Sequence, residues 1–349
     1  MRQYACATAL VMFGLSTVPS HSVHAAPSVQ AYALSAGGES ILGSEGGGFS
    51  CATFGPDSRT ANFQGVYQVG LPTSGPCGVG VDARSASAAS GAVSVSSTLA
   101  VGFGSSVDPR AFVGQSTGRA GFGNLGVRAD ATYSGSVDAF TVIGAQAFGQ
   151  QTESMTFNGG IGSGFFQPTF TIDGTLFNVG RADSQLAFFY SVGSGPGLLG
   201  FRIQNTRGDI TYYGPSGYVP SFAGMSLTGD LVNGLTVAGS TTFTLNIPIA
   251  FGAATDITYA LWAGTLPSSS VGLLTPSGGA VDFDSTVKLT GINVVGADGQ
   301  PLDAFTITSG SGTLYDRNGV TASVPEPRTL VLMLLGLLGL TLARSRRSF

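Results

Sequence analysis

Side chains able to do chemistry are scarce in this 349-residue chain, and their positions close off most reactions. The only two histidines, His21 and His24, sit near the N-terminus, in a stretch that reads as a removable leader. Ser-His-Asp and Cys-His nucleophile systems need an imidazole base, and the usual zinc sites need His or clustered Cys. Gly114-Gln115-Ser116-Thr117-Gly118 has the spacing of a nucleophile elbow, but it lacks both a base and a strand-to-helix turn. Gly121-Phe122-Gly123-Asn124-Leu125-Gly126 and Gly195-Pro196-Gly197-Leu198-Leu199-Gly200 have dinucleotide-loop spacing. Neither opens a helix in a βαβ unit, so both read as turns. Carboxylates remain. Asp282 and Asp284 lie two apart and share a face on a strand. Such a pair could hold Ca²⁺ with backbone carbonyls, or flank a glycosidic bond; the plainer reading is a solvated face or a turn. Asp298 and Asp316 read as turn residues beside Gly299 and Asn318-Gly319. Tyr212, Tyr213 and Tyr218 cluster with Phe222 among Gly and Pro. They could stack on sugar rings as a glycan contact, or pack in the core. No catalytic residue, metal set or cofactor motif emerges, so a non-enzyme is expected.

The elements that would carry these residues are strands. Glycine is abundant at 54 residues, and Lys288 is the only lysine, so exposed-face helix formers are few. Phe243, Leu245, Ile247 and Ile249 alternate at period two in 241–249, with Pro248 placing that run at a sheet edge or strand end. Ile257, Tyr259 and Leu261 repeat the pattern, beside Trp262. Hairpins are expected at 169–179 around Asp173-Gly174, at 199–213 around Asn205 to Gly208, and at 287–308 around Gly296 to Gln300. Val93–Val101 and Ala139–Ala147 read as further strands. Outside the two ends no clean helical period appears, and 160–164 is too short to force a domain boundary. The expectation is an all-β, antiparallel β-sandwich, jelly-roll-like, over 26–323.

Charge narrows the partners. Residues 26–323 hold ten Lys+Arg against eighteen Asp+Glu, a net charge of −8. An acidic body with one lysine is a poor binder of nucleic acid or of anionic membranes.

The two ends are targeting segments by their layout. Arg2, the apolar run Ala5–Leu15 and the small residues at Val23 and Ala25 compose a signal peptide, 1–25, cleaved before Ala26. An exported chain left with Cys51 and Cys77 pairs them most simply in one disulfide. Closing that loop of about 26 residues stabilises the fold by about 3.5 kcal/mol in the chain-entropy account. At the other end, Val324-Pro325-Glu326-Pro327 cannot continue a helix and reads as an exposed, extended segment. The apolar run from Thr329 to Ala343 follows, about 22 Å long as a helix and marginal for a span. Gly336 and Gly339 give it a small-residue strip. Arg344, Arg346 and Arg347 close the chain and would stay cytoplasmic.

The 324–349 layout resembles the PEP-CTERM protein-sorting signal of exopolysaccharide-producing Gram-negative bacteria. The strands at 281–313 more loosely resemble those preceding the motif in such proteins. The resemblance implies recognition and cleavage near Val324 to Pro327 by an exosortase, an integral-membrane processing enzyme. It implies a transient transmembrane anchor in the inner membrane with the body periplasmic, then a cell-surface or secreted product associated with exopolysaccharide or biofilm. A carbohydrate-binding module of the extracellular matrix is the alternative for the body.

Overall fold

The structure is a computed structural model describing residues 25–39, 79–107, 109–135, 141–180, 182–195, 197–206, 208–214, 217–219, 221–230, 232–267 and 277–323. Cys51, Cys77, the Val324–Pro327 motif, the 329–343 run and Arg344, Arg346 and Arg347 lie outside them.

The described residues are all-β and antiparallel. One sheet has nine strands, running β11–β10–β9–β8–β15–β6–β1–β2 with β17 also on β6. These are β1 (Ser28–Glu39), β2 (Val79–Ala88), β6 (Thr141–Asn158), β8 (Ala182–Val192), β9 (Leu198–Thr206), β10 (Asp209–Gly214), β11 (Gly217–Val219), β15 (Ala254–Pro267) and β17 (Thr306–Ser309). The second sheet has eight, running β12–β13–β7–β16–β5–β4–β3 with β14 also on β7. These are β3 (Ala92–Gly104), β4 (Pro109–Gly121), β5 (Asn124–Ser134), β7 (Ser163–Val179), β12 (Met225–Asp230), β13 (Gly234–Thr244), β14 (Ile247–Ala250) and β16 (Ser277–Val295). A terminal hairpin, β18 (Thr313–Asp316) with β19 (Gly319–Ser323), ends the described chain.

The two sheets share one core, as period-two burial requires of a sandwich. The cluster runs from Val29 to Tyr315 in sequence and draws on both sheets. Its centre is aromatic. Phe170 of the eight-stranded sheet lies 5.0 Å from Phe188 and 5.0 Å, edge-on, from Tyr259 of the nine-stranded sheet. Such offset and edge-on contacts suit the ring quadrupole.

Several expectations meet the structure directly. Leu245, Ile247 and Ile249 are buried at alternate positions, and Pro248 sits exposed in the short strand β14. The β9–β10 hairpin forms around Gly208, whose N–H donates to Asn205 Oδ1 at 2.8 Å. Among the described residues no helix is long and apolar enough to cross a membrane.

Two hairpins do not form. Residues 163–179 are one unbroken strand with Asp173-Gly174 inside it. Gly174 serves close approach there, since a Cβ would meet the Asp282 carbonyl and the Phe283 ring. The 296–300 turn is real, with Gly296 N–H donating to Gln300 O at 2.9 Å. Its flanking strands nevertheless belong to different sheets: β16 pairs with β5 and β7, whereas β17 pairs with β6. The chain crosses the sandwich at that turn.

Candidate functional site

The residues singled out in sequence do not converge. Ser116 lies on the inward face of β4 and is buried, its hydroxyl donating to Leu34 O at 3.1 Å. That is strand backbone satisfaction, with no nucleophile geometry. Gly121 to Asn124 form the β4–β5 hairpin turn, and Gly195 to Gly197 connect β8 to β9. Asp282 and Asp284 project from β16 toward Arg128 of the adjacent β5 and Arg119 of β4, one strand further on. Arg119 lies 3.0 Å from Asp284, and Arg128 lies 4.0 Å from Asp282 and 3.5 Å from Asp130. Burial raises the Asp284 pKa, and the Arg119 charge partly offsets that. Each acid of the pair thus faces an arginine, and among the described residues no group of three metal-ligating side chains occurs. Asp298 and Asp316 make the expected turns, accepting from Gln300 N–H at 3.0 Å and Asn318 N–H at 2.7 Å.

The tyrosine cluster divides between two faces. Tyr212 points into the core, 8% exposed, with Phe222 edge-on at 5.5 Å. Its ring packs in the interior and offers no stacking platform. Tyr213 is on the opposite face, and the Arg202 guanidinium lies over its ring, 3.9 Å from the centroid. Tyr218 pairs with Tyr213 across β10–β11.

That opposite face was not anticipated. Cross-strand register sets Tyr32, Phe148, Trp262, Ala187, Arg202 and Tyr213 side by side across β1, β6, β15, β8, β9 and β10. Phe148, Ala187, Phe189, Ala260 and Trp262 form a second apolar cluster there, outside the sandwich core. The Trp262 indole N–H donates to Gln146 Oε1 at 3.4 Å. Burial pushes the Tyr32 phenol up to about 12.

At one end of this face the rings give way to a polar cleft of about 400 Å³. Thr152 of β6, Thr258 of β15 and Ser191 of β8 are register neighbours and form its floor. Thr152 and Thr258 share a hydroxyl–hydroxyl bond of 3.0 Å. Gln150 adds an amide and Asp256 a carboxylate, while the loop at Gly193, Ser194, Gly195 and Gly197 makes a wall. The loop is held down by Gly193 N–H donating to Asp256 O at 2.7 Å, with Gly193 at φ 57°. Ala25 makes another wall, its N–H donating to Asp256 Oδ2 at 2.7 Å.

A buried acid lies elsewhere, in the core. Glu153 of β6 is 0% exposed and accepts from Ser311 N–H at 2.9 Å, Ser311 Oγ at 2.5 Å and Tyr315 Oη at 3.3 Å. Burial raises its pKa, and the Ser311 and Tyr315 hydrogen bonds pull it part of the way back. It ties the segment entering the terminal hairpin to the centre of the nine-stranded sheet. Among the described residues no second acid is hydrogen-bonded to it. No family model, curated protein or solved structure matches this chain.

Proposed function

We propose that this is an exported, non-enzymatic protein of the cell surface or extracellular matrix, sorted and processed by an exosortase-type system and associated with exopolysaccharide or biofilm. The observation that carries the reading is the order at the C-terminus: Val324-Pro325-Glu326-Pro327, an apolar run, then Arg344, Arg346 and Arg347. The last described strand ends at Ser323, one residue before the motif. A recognition sequence directly after a folded domain leaves the domain whole when the tail is cut. On this reading residues 1–25 are a signal peptide and Cys51 pairs with Cys77. Residues 329–343 form a transient membrane helix, and the sandwich is jelly-roll-like. Recognition belongs to the Val-Pro-Glu-Pro motif and orientation to the arginines.

Replacing Arg344, Arg346 and Arg347 together by Glu removes the positive charge expected to hold the C-terminus in the cytoplasm. Cell fractionation with blotting should then show unprocessed chain accumulating in the membrane. Unchanged release of processed protein would remove the orientation role.

A further inference from the structure

We propose that the cleft between β6, β15 and the β8–β9 loop is a binding site for a neutral saccharide unit. The proposal deepens the matrix reading, and relies on it only for where such a ligand would be met. Its size falls toward the low end of small-molecule pockets, roughly 300–1,000 Å³, at about 400 Å³.

The lining selects the ligand class. Thr152, Ser191, Ser194 and Thr258 supply hydroxyls that both donate and accept, and Gln150 supplies an amide that does the same. Asp256 adds acceptors, and the glycines leave loop backbone uncovered by side chains. Among the described residues no Lys, Arg or His lines the cleft. Among these lining residues a phosphate, nucleotide or uronate would meet the Asp256 carboxylate, inside a body of net charge −8. Among the described residues no large apolar side chain lines it either, so an acyl chain or hydrophobic peptide would find little there to bury against. What suits alternating donors and acceptors around an open polar floor is a ring of hydroxyls.

The cleft also couples to processing. Cleavage before Ala26 would remove the Ala25 wall and the Ala25 N–H bond to Asp256, and would leave a new α-ammonium at Ala26 on the Asp256 side of the cleft. The mature chain therefore presents a wider cleft than its precursor.

The test uses the mature secreted protein against neutral gluco-, galacto-, manno- and N-acetylglucosamine oligosaccharides, with oligogalacturonate as the anionic control. Binding is read by saturation-transfer NMR and calorimetry. At least one neutral oligosaccharide should bind, and the oligogalacturonate should not. Ser191→Phe, which fills the floor, should weaken that binding at least tenfold. Thr258→Val, which removes one hydroxyl at constant shape, should weaken it severalfold while the protein stays folded, its urea midpoint lowered only by the loss of the Thr152 bond. The second variant keeps the test decisive if the first unfolds. No binding to any neutral member, preference for oligogalacturonate, or binding indifferent to Thr258→Val would each overturn the proposal. Those failures leave export and processing untouched, because these are read separately by the mass of the secreted chain.

Discussion

The two outer faces of this sandwich are built on opposite terms. On the eight-stranded sheet, hydroxyls and amides bond sideways across strands: Thr169 to Thr244 at 2.9 Å, Thr171 to Thr290 at 2.9 Å, Ser96 to Thr117 at 3.0 Å and Gln167 to Asn246 at 3.2 Å. Arg119, Arg128, Asp282 and Asp284 add ion pairs, and the face stays open to water. On the nine-stranded sheet the equivalent face carries Phe148, Phe189 and Trp262, at 8%, 1% and 4% exposure. Those rings are as dry as the core. One face answers to solvent, whereas the other answers to packing and opens to water at the polar cleft. The same antiparallel pairing thus supports two surfaces whose mutational costs should differ severalfold.

The largest effect should come from the dry face. Trp262→Ala removes a nearly buried indole and should cost about 3–5 kcal/mol in urea unfolding. A cost under about 1 kcal/mol would mean that this face is not an interior. Next is the buried acid behind that sheet. Glu153→Ala leaves the Ser311 N–H and the Tyr315 hydroxyl without their acceptor and should cost about 1–3 kcal/mol. Glu153 also makes a pH signature. Its folded pKa lies above the usual 4.5, so its contribution is fully present below pH 4.5. That contribution is lost as pH rises from 4.5 through the raised folded value, because the unfolded carboxyl ionises first. Melting temperature against pH should therefore fall less steeply across that window in Glu153→Gln than in wild type. Parallel profiles would contradict the assignment.

The solvated face should respond weakly. Arg119→Ala breaks a half-exposed pair with Asp284 and should cost less than about 1 kcal/mol, a difference that shrinks in high salt. Thr171→Ala, on the hydroxyl ladder, should stay within about 0.5 kcal/mol by the same unfolding assay. If these two matched Trp262→Ala, the contrast between the faces would fail.

Part of this contrast was written in the sequence. Period-two alternation marks Leu245, Ile247 and Ile249 as inward, and they are. Ile257, Tyr259 and Leu261 also point inward, but the run from Tyr259 to Ala263 is apolar without a break and is buried on both sides. Continuous apolar runs of that kind signal a strand covered on two faces. Trp262 beside the alternation was the visible trace of it. Asp173-Gly174 misled because glycine looks the same whether it serves a turn or a close backbone approach. The third hairpin misled because a turn fixes local geometry but not which sheet the next strand joins. Tyr212 and Tyr213, adjacent in sequence, had to fall on opposite faces of any strand holding both.

The cleft was illegible for a different reason. Gln150, Thr152, Ser191, Asp256 and Thr258 are ordinary polar residues on three strands, joined only by register. In the sequence its glycine wall, Gly195 and Gly197, reads only as a turn. Glu153 was equally silent, since a lone glutamate gives no spacing signal and its partners lie 158 and 162 residues away.

The central claim, an exported body trimmed at both ends, is tested most directly by intact-mass analysis of the protein recovered outside the cell. The account predicts a chain beginning at Ala26, ending near Val324 to Pro327 and lighter by the two hydrogens of a Cys51–Cys77 disulfide. A full-length chain retaining residues 1–25 and the Arg344 to Arg347 end, found in the cytoplasm, would contradict it.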